Sequence, residues 1–360
     1  GNDKSSINKG ASSARVQASV LNLYDTARLR GPLADGKEAT FEAIDRSITA
    51  SLASSKKTVL LTSTVLSPTS KNAIQQFLAK YPTAQWLTYD AISYSGMLLA
   101  NEASYGKKTL PAYHFENAKT IVSLGADFLG TWLSPTEFAK QYAQGRRVSA
   151  KNLEMSKHYH VEANHTITGA AADERATCKP SQMGAVAVAL YNAIQTGATP
   201  NLGTEKLNAL VKNAAADLKK GNGLVVAGSN DVAVQTVVNA INSAVGANGT
   251  TINWAVTSNY KQGIDADFVG LVQAMNAGQV DTLIMQNVNP VYESAMGDQF
   301  ESGLSKVANT ITFASHLDET AQKCKYIIPD HHYLESWGDA EPKSGFYSLM
   351  QPGIAPIHKT

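Results

Sequence analysis

The chain has 360 residues, enough for about two domains of ordinary size. Apolar residues make up 43% of it and charged residues 17%, a balance that excludes an intrinsically disordered protein. The 31 basic and 30 acidic side chains leave a net charge of +1. No single-sign field is therefore available to hold a phosphate backbone, and no nucleic-acid partner is expected.

Short apolar runs alternate with helical patterns along most of the chain. A strand predicted at 58–62 is followed by four apolar residues with the spacing of one helix face, Ile74, Phe77, Leu78 and Tyr81. Further strands are predicted at 120–124, 158–162, 224–227, 280–285, 310–314 and 326–328. Further helices are predicted from the capping sequence Ser134–Glu137, over 186–194, after Thr204, over 234–245 and near 294–307.

This alternation predicts the fold class. Strands that alternate with helices of about 10–15 residues are typical of parallel sheets with right-handed crossovers. The strands are too many for one small sheet, so we predict two doubly wound, mostly parallel α/β units, the second inserted in the first. The discontinuous unit is predicted at 14–115 and 222–360 and the inserted unit at 116–221. The polar stretch Lys219–Gly223 is the predicted linker between them.

The two ends of the sequence and its two cysteines indicate which segments and metal sites to expect. Residues 1–13 are polar, lack the pattern of a secretory signal and are expected to be disordered. Residues 351–360 have the character of an extended segment, so we expect the sequence to be a piece of a longer protein. Cys178 and Cys324 are too few to hold an iron–sulfur cluster or an all-cysteine zinc ion.

The loops after the predicted strands are where an open α/β sheet binds ligands. These loops are 63–70, 125–132, 164–169, 228–231 and 286–292. No G-x-G-x-x-G or G-x-x-x-x-G-K-[ST] motif occurs in them, so neither a dinucleotide loop nor a P-loop is predicted. The lone glycines Gly125 and Gly130 are interpreted as turn residues.

Histidines on the third predicted strand raise the question of a metal. His158, His160 and Glu162 alternate and therefore face one side of the strand, with His165 close behind them. Imidazoles and a carboxylate can hold zinc, but this spacing does not bring them to one ion. The favoured interpretation is a solvated or hydrogen-bonded strand face, and no metal site is predicted.

A second polar cluster follows the last predicted strand. Asp330, His331 and His332 precede Glu335, Asp339 and Glu341. An active-site loop is one interpretation, and a polar loop at the mouth of a cleft is the favoured one. No G-x-S-x-G elbow is present, and both cysteines are interpreted as small buried apolar residues, so no catalytic residue is predicted.

Several ordered motifs resemble the molybdopterin oxidoreductases of the dimethyl sulfoxide reductase superfamily. They are a strand with an N-P turn at 280–290, an E-T-A helix start at 316–321, an I-I-P segment at 326–329, L-E at 334–335 and a Q-P entry at 351–356. Shorter similarities lie at 120–127 and 171–180. The resemblance covers roughly residues 20–360 and implies molybdopterin-oxidoreductase-like α/β domains. In that superfamily the cofactor is a molybdopterin guanine dinucleotide.

Two family motifs that hold the cofactor are changed here. The family's P-R-x-T is replaced by Asn164–Ile167 and its P-G-T-D by Pro180–Met183, with loss of an arginine, a glycine and an aspartate. Each lost charge-assisted partner costs about 1.5–3 kcal/mol of affinity. We therefore expect no cofactor in these residues. The predicted remnant of the pocket consists of Gly125, Asp127, Asn164, His165, Ser181, Gln182 and Asn289.

Within the superfamily, the phrases at 125–129 and 334–339 resemble the B subunit family of alternative complex III, a quinol-oxidising respiratory assembly. The resemblance implies a non-catalytic scaffold in an electron-transfer complex. It implies as partners an iron–sulfur domain of the same longer chain, membrane quinol-binding subunits and c-type cytochrome subunits. It also implies a peripheral location on the periplasmic side of the bacterial inner membrane.

Two alternatives to the scaffold remain open from the sequence. One is a fragment of an active molybdopterin-dependent oxidoreductase that holds its cofactor through other contacts. The other is a small-ligand-binding module with its site in the cleft between the two units.

Overall fold

The computed structural model describes residues 1–150 and 153–358. Their contacts divide the chain into two compact units. The inserted unit comprises residues 95–258 together with 1–17, and the outer unit comprises residues 18–94 and those from 259 onward. No helix in the described part of the chain combines the length and the apolarity needed to cross a bilayer.

The elements are numbered in chain order. The strands are β1 (Leu33–Ala34), β2 (Lys37–Glu38), β3 (Thr58–Thr62), β4 (Ala84–Thr88), β5 (Leu110–Tyr113), β6 (Thr120–Leu124), β7 (Lys157–Glu162), β8 (Glu174–Thr177), β9 (Gly223–Ala227), β10 (Ile252–Ser258), β11 (Thr282–Gln286), β12 (Asn309–Phe313), β13 (Tyr326–Ile328), β14 (Gly338–Lys343) and β15 (Phe346–Met350). The α-helices are α1 (Ala14–Ala18), α2 (Phe41–Ser54), α3 (Pro68–Lys80), α4 (Ser95–Tyr105), α5 (Pro135–Gly145), α6 (Ile167–Ala170), α7 (Met183–Thr196), α8 (Glu205–Leu218), α9 (Val232–Ala244), α10 (Asp265–Asn276), α11 (Pro290–Glu293) and α12 (Gly297–Leu304).

The outer unit is built on a seven-stranded sheet in the order β2-β1-β13-β12-β11-β3-β4. From β13 to β4 every neighbouring pair is parallel, whereas β1 and β2 join antiparallel at one edge. Alternate residues of a strand point to opposite faces of the sheet and pack in different hydrophobic cores. Val59 and Leu61 of β3 pack with α10 and α12, while Leu60 packs with α2 and α3. Helices therefore cover both faces, as in a doubly wound fold.

The inserted unit is built on a parallel sheet in the order β8-β7-β6-β9. One face packs against α7, α8 and α9 through residues such as Val122 and Val161. On the other face lies an aromatic cluster of Phe115, Phe128, Phe138 and Tyr142. β5 and β10 form a separate antiparallel pair within this unit.

The predicted α/β class, with two mostly parallel units and one inserted in the other, is confirmed. All seven predicted strands form, and a hydroxyl caps α8 as expected, Thr204 accepting from the Leu207 N–H at 3.3 Å. The prediction of a capping box at the start of α5 was wrong, because the Ser134 side chain makes no cap hydrogen bond. β4, β8, β10 and the hairpin of β14 and β15 were not predicted.

The unit boundaries differ from the predicted ones. β9 pairs in parallel with β6 over its whole length, from Gly223 to Ala227, so the chain after α8 stays in the inserted unit. The stretch Lys219–Gly223 is a helix-to-strand turn with Gly221 at φ 97° rather than a linker. At the N-terminus, where disorder was predicted, residues 1–13 form hydrogen-bonded turns, such as Lys9 N–H to Ser5 O at 3.0 Å. Residues 359–360 lie outside the described residues.

A buried ion pair links three segments of the outer unit. Arg28 Nη2 donates to Glu335 Oε2 at 2.6 Å, and both side chains are almost fully buried. The same carboxylate accepts from the backbone N–H of His332 at 2.8 Å and of Ile357 at 2.9 Å. The guanidinium, more than burial, sets the pKa of Glu335, which is lowered to about 2. Glu335 therefore stays ionised and holds the segments around 28, 332 and 357 together.

Replacing Arg28 with Met should destabilise the protein by about 3–5 kcal/mol, because it leaves the Glu335 carboxylate buried without its guanidinium. Urea unfolding followed by tryptophan fluorescence measures the change. Lys119→Ala is the matched control, since it removes an ion pair with Glu154 in which the side chains are 67% and 78% exposed. That control should cost less than about 1 kcal/mol. Equal losses in the two variants would contradict this account of Arg28.

Candidate functional site

A cavity of about 700 Å³ lies at the carboxyl ends of β6, β7 and β9 in the inserted unit. This is the edge at which parallel α/β sheets bind ligands. We call it the inserted-unit cavity. It is lined by Leu124, Gly125, Asp127, Thr131, Glu162, Ala163, Asn164, His165, Thr166, Ile167, Pro180, Met183, Gly228 and Ser229.

Four of the seven predicted pocket residues line this cavity, namely Gly125, Asp127, Asn164 and His165. Ser181 and Gln182 lie in the 3-10 turn beside it, where the Gln182 side chain accepts from the Lys179 N–H at 3.0 Å. Asn289 belongs to the outer unit. Its amide donates to Glu319 Oε2 at 2.7 Å and accepts from the Thr320 N–H at 3.0 Å, so it fixes a loop there.

Glu162 places a carboxylate in the wall of the inserted-unit cavity although its side chain is only 2% exposed. Oε2 accepts from Thr166 Oγ1 at 2.6 Å, from the Thr166 N–H at 3.1 Å and from His160 Nε2 at 3.0 Å. Oε1 accepts from Arg175 Nε. Burial raises the pKa of Glu162, but the hydrogen bonds from Thr166 and Arg175 outweigh it and hold the pKa below its usual value.

The second carboxylate of the cavity, that of Asp127, is also held by hydrogen bonds. Asp127 Oδ1 accepts from Thr168 Oγ1 at 2.7 Å, and Oδ2 accepts from Thr131 Oγ1 at 3.3 Å. Glycines lie close beside both acids. A Cβ on Gly169 would lie 2.0 Å from Glu162 Oε1, and one on Gly130 would lie 2.2 Å from Asp127 Oδ2. The chain is thus built closely around the two carboxylates.

The three alternating residues of β7 do share one face, and all three are buried. Ser123 of β6 bridges the two histidines, with its Oγ at 2.8 Å from His158 Nε2 and also within hydrogen-bond distance of His160 Nδ1. Burial, with a smaller contribution from His160, lowers the pKa of His158 to about 3. Across the described residues, no group of three His, Cys, Asp or Glu side chains has the arrangement of a metal site.

A second cavity, of about 670 Å³, lies at the carboxyl ends of β3, β11, β12 and β13 in the outer unit. We call it the outer-unit cavity. It is lined by Asn22, Arg28, Ser67, Ser70, Gln286, Asn287, Ser315, His316, Asp330, His331, His332, Tyr333, Ser336, Gly338, Asp339 and Met350. Most of the predicted polar cluster after β13 therefore faces this cavity. Glu335 and Glu341 do not line it, and Glu335 forms the ion pair with Arg28.

In the outer unit, a carboxylate of the chain occupies a helix N-terminus. Asp339 accepts from Thr69 Oγ1 at 2.8 Å, from the Thr69 N–H at 3.2 Å and from Ser67 Oγ at the first turn of α3. The Ser67 and Thr69 hydrogen bonds lower the pKa of Asp339. A helix start after a parallel strand is where such folds bind phosphate, and here Asp339 supplies the anion.

These residues do not fit a pterin dinucleotide, which carries phosphate charges. The described lining of the inserted-unit cavity contains two carboxylates and no Lys or Arg. The guanidinium of Arg175 is bound to Glu162. In the outer-unit cavity the one lining guanidinium, Arg28, is bound to Glu335, and Asp339 takes the N-terminus of α3. Neither Cys178 nor Cys324 lines either cavity, so neither offers a thiolate ligand there.

Sequence reasoning missed several residues of these sites. Ser123 interrupts the apolar run of β6, and this polar residue between Val122 and Leu124 was the signal in the sequence. Arg28 lies outside any predicted element and is separated from Glu335 by 307 positions, so no local pattern could pair them. Thr166 lies in the changed motif 164–167, but its two hydrogen bonds to Glu162 were not predicted.

Comparisons with known proteins agree with this architecture. No protein-family model matches the sequence. The chain is 23% identical over 417 aligned residues to the menaquinone reductase, molybdopterin-binding-like subunit of Nitratidesulfovibrio vulgaris, covering 100% of this chain and 59% of the relative. Its fold is similar to acetylene hydratase from Pelobacter acetylenicus, with TM-score 0.71, 12% identity, and 98% of this chain and 62% of that chain covered.

A second solved structure with a similar fold is the formyltransferase/hydrolase complex from Methylorubrum extorquens in complex with methylofuran. Its TM-score is 0.62 at 12% identity, over 92% of this chain and 94% of that chain. The chain thus spans about three fifths of the curated relative and of the acetylene hydratase. Its fold is a mixed α/β architecture of the molybdopterin-oxidoreductase-like type, as the sequence resemblance predicts.

The buried histidines predict a loss of stability on mild acidification. Because the pKa of His158 is about 3 in the folded protein, the unfolded chain takes up its proton first, as the pH falls below about 6.5. Burial also lowers the pKa of His160. The free energy of unfolding should therefore fall by up to about 1.4 kcal/mol per pH unit for each histidine.

Urea unfolding at several values between about pH 7 and 5 measures this slope, above the ordinary range of carboxyl groups. Burial raises the pKa of Asp318 and of Asp330, which opposes the slope, so the comparison of the wild type with His158→Asn isolates the histidine. His158→Asn should make the slope shallower. A wild-type free energy that is constant over this range would show that the histidines are not held neutral by burial.

Proposed function

We propose that the chain is a cofactor-free, molybdopterin-oxidoreductase-like scaffold in a membrane-associated, quinone-linked electron-transfer complex. The observation that carries this proposal is the use of the chain's own carboxylates at both ligand-binding edges. Glu162 lies in the wall of the inserted-unit cavity, and Asp339 takes the helix N-terminus at the outer-unit cavity.

Electrostatics make these edges unfavourable for a phosphate-bearing cofactor. A pyrophosphate in the inserted-unit cavity would face Asp127 and Glu162 without a free cation among the described lining residues. Each missing charge-assisted hydrogen bond costs about 1.5–3 kcal/mol, and each 1.4 kcal/mol is about tenfold in affinity. Loss of two such partners corresponds to a weakening of about a hundredfold or more.

Sequence similarity to a subunit of a quinone enzyme supports the assignment to a quinone-linked complex. The curated relative is named as the molybdopterin-binding-like subunit of a menaquinone reductase. A "binding-like" subunit of a quinone reductase is the kind of component that the scaffold reading expects. Because this chain spans 59% of that relative, the activity of the whole complex is part of the proposal.

The finer assignment follows the sequence resemblance. We propose a complex of the alternative complex III type, on the periplasmic side of the bacterial inner membrane. Its partners would be an iron–sulfur domain of the same longer chain, quinol-binding membrane subunits and c-type cytochromes. Electrons would pass through the clusters and haems of those partners, and the present residues would position them.

The rival, an active molybdopterin-dependent oxidoreductase, requires cations for the phosphates and a ligand for the metal. The described lining of both cavities offers one guanidinium, Arg28, which Glu335 already neutralises. Neither cysteine reaches these linings. The scaffold is therefore the better account of the two.

Elemental analysis of the complex purified from its native membrane tests the proposal. We expect iron from the partner subunits but molybdenum and tungsten well below one atom per chain. Denatured protein should release no fluorescent pterin. A molybdopterin enzyme from the same host, purified and analysed in parallel, controls for metal supply and for recovery of the pterin. Molybdenum or tungsten at about one atom per chain, together with released pterin, would overturn the scaffold in favour of the enzyme.

A further inference from the structure

Five buried or partly buried side chains form a continuous hydrogen-bonded chain in the inserted unit. Tyr142 Oη lies 3.2 Å from His158 Nδ1, and His158 Nε2 lies 2.8 Å from Ser123 Oγ. Ser123 Oγ is also bonded to His160 Nδ1, and His160 Nε2 lies 3.0 Å from Glu162 Oε2. The chain runs from the Tyr142 phenol to a carboxylate in the wall of the inserted-unit cavity.

Donor counting restricts the protons on this chain. Glu162 is ionised and accepts, so His160 must carry a proton on Nε2. The Ser123 hydroxyl has one hydrogen and can donate to only one of its two histidines, so it accepts from the other. Tyr142 also has one hydrogen, and its second acceptor, the carbonyl of Ala171, lies at 3.0 Å.

Three arrangements satisfy these rules, one with both histidines neutral and two with one added proton, on His158 or on His160. With both histidines neutral, Tyr142 donates to His158 Nδ1, His158 Nε2–H donates to Ser123, and Ser123 donates to His160 Nδ1. With the added proton on His158, its two N–H groups donate to Tyr142 and Ser123, and Ser123 donates to His160 Nδ1. With the added proton on His160 instead, that ring carries hydrogens on both nitrogens and donates to Ser123 and Glu162. Ser123 then donates to His158 Nε2, His158 Nδ1–H donates to Tyr142, and Tyr142 donates to Ala171 O.

We propose that these five side chains form a proton relay, in which one proton taken up at the Tyr142 end is held as an imidazolium at His160 beside the inserted-unit cavity. The step balances as follows. A proton from water reaches His158 Nδ1 by way of the phenol, the Nε2–H of His158 passes to Ser123, and the former hydroxyl hydrogen of Ser123 passes to His160 Nδ1. No bond other than these N–H and O–H bonds forms or breaks.

The surroundings place the charge at His160 rather than at His158. His160 faces Glu162, with Asp127 on the same side and Arg175 opposing them. His158 faces Asp173 and Arg146, which form an ion pair with each other at 2.7 Å. Burial, opposed by the Arg146 charge, raises the pKa of Tyr142 to about 12, so the phenol keeps its hydrogen at both stages.

Nitrogen NMR of the histidine-labelled chain tests the relay, because long-range ¹H–¹⁵N couplings report which ring nitrogen carries a proton. The pH is lowered from about 8 to about 4, a range that spans histidine titration. We expect His158 to change from Nε2–H to Nδ1–H with the same midpoint as protonation of His160. The relay does not depend on the proposed scaffold function, and this measurement needs no cofactor or partner.

Variants at the bridging hydroxyl separate the relay from simple proximity. In Ser123→Ala, His158 should lose the shared midpoint and keep one tautomer while His160 titrates, whereas Ser123→Thr, which keeps a hydroxyl, should restore the coupling. The proposal is overturned if wild-type His158 keeps one tautomer while His160 protonates. It is equally overturned if His160 stays neutral until the protein unfolds, or if a folded Ser123→Ala variant retains the shared midpoint.

Discussion

The carboxylate of Glu162, buried at the end of a parallel strand, determines the arrangement of the residues around the inserted-unit cavity. Glu162 leaves water only because Arg175, Thr166 and His160 all donate to it. Gly169 lies against it, and a Cβ at that position would push the carboxylate away from its hydrogen-bond donors. The charge also faces the space in which a parallel α/β sheet accepts a ligand. The Glu162 carboxylate thus determines both the local packing at this edge of the sheet and the negative charge of the cavity wall.

In the outer unit, too, acidic side chains of the chain bind the groups that could otherwise bind a phosphate. Asp339, from the hairpin of β14 and β15, accepts hydrogen bonds at the start of α3, and Glu335 binds Arg28 beneath the neighbouring loop. In an enzyme of this architecture, such helix starts and guanidinium groups are natural partners for phosphate. In this chain both are occupied by acidic side chains of the same polypeptide. The start of α3 and the Arg28 guanidinium are therefore satisfied by the chain itself.

Much of this arrangement follows from local sequence patterns, and the rest does not. The strands at 58–62 and 120–124 are short, apolar and flanked by turn residues, so their existence and the α/β class are readable from the sequence. The C-terminal boundary of the inserted unit cannot be predicted in this way, because β9 pairs with β6 across a separation of about a hundred residues. The pairing of Arg28 with Glu335 is equally non-local. The family resemblance located Asn164 and His165 at the cavity, whereas Asn289 proved to hold a loop in the other unit.

A high-resolution density map of the native complex tests the central claim most directly. If acidic side chains have replaced the cofactor, the map will show Glu162 bound to Arg175 and Thr166, with no pterin or guanine ring beside Asn164 in the inserted-unit cavity. A pyranopterin seated against Glu162, with its phosphates at Asp127 or at the start of α3, would contradict the account.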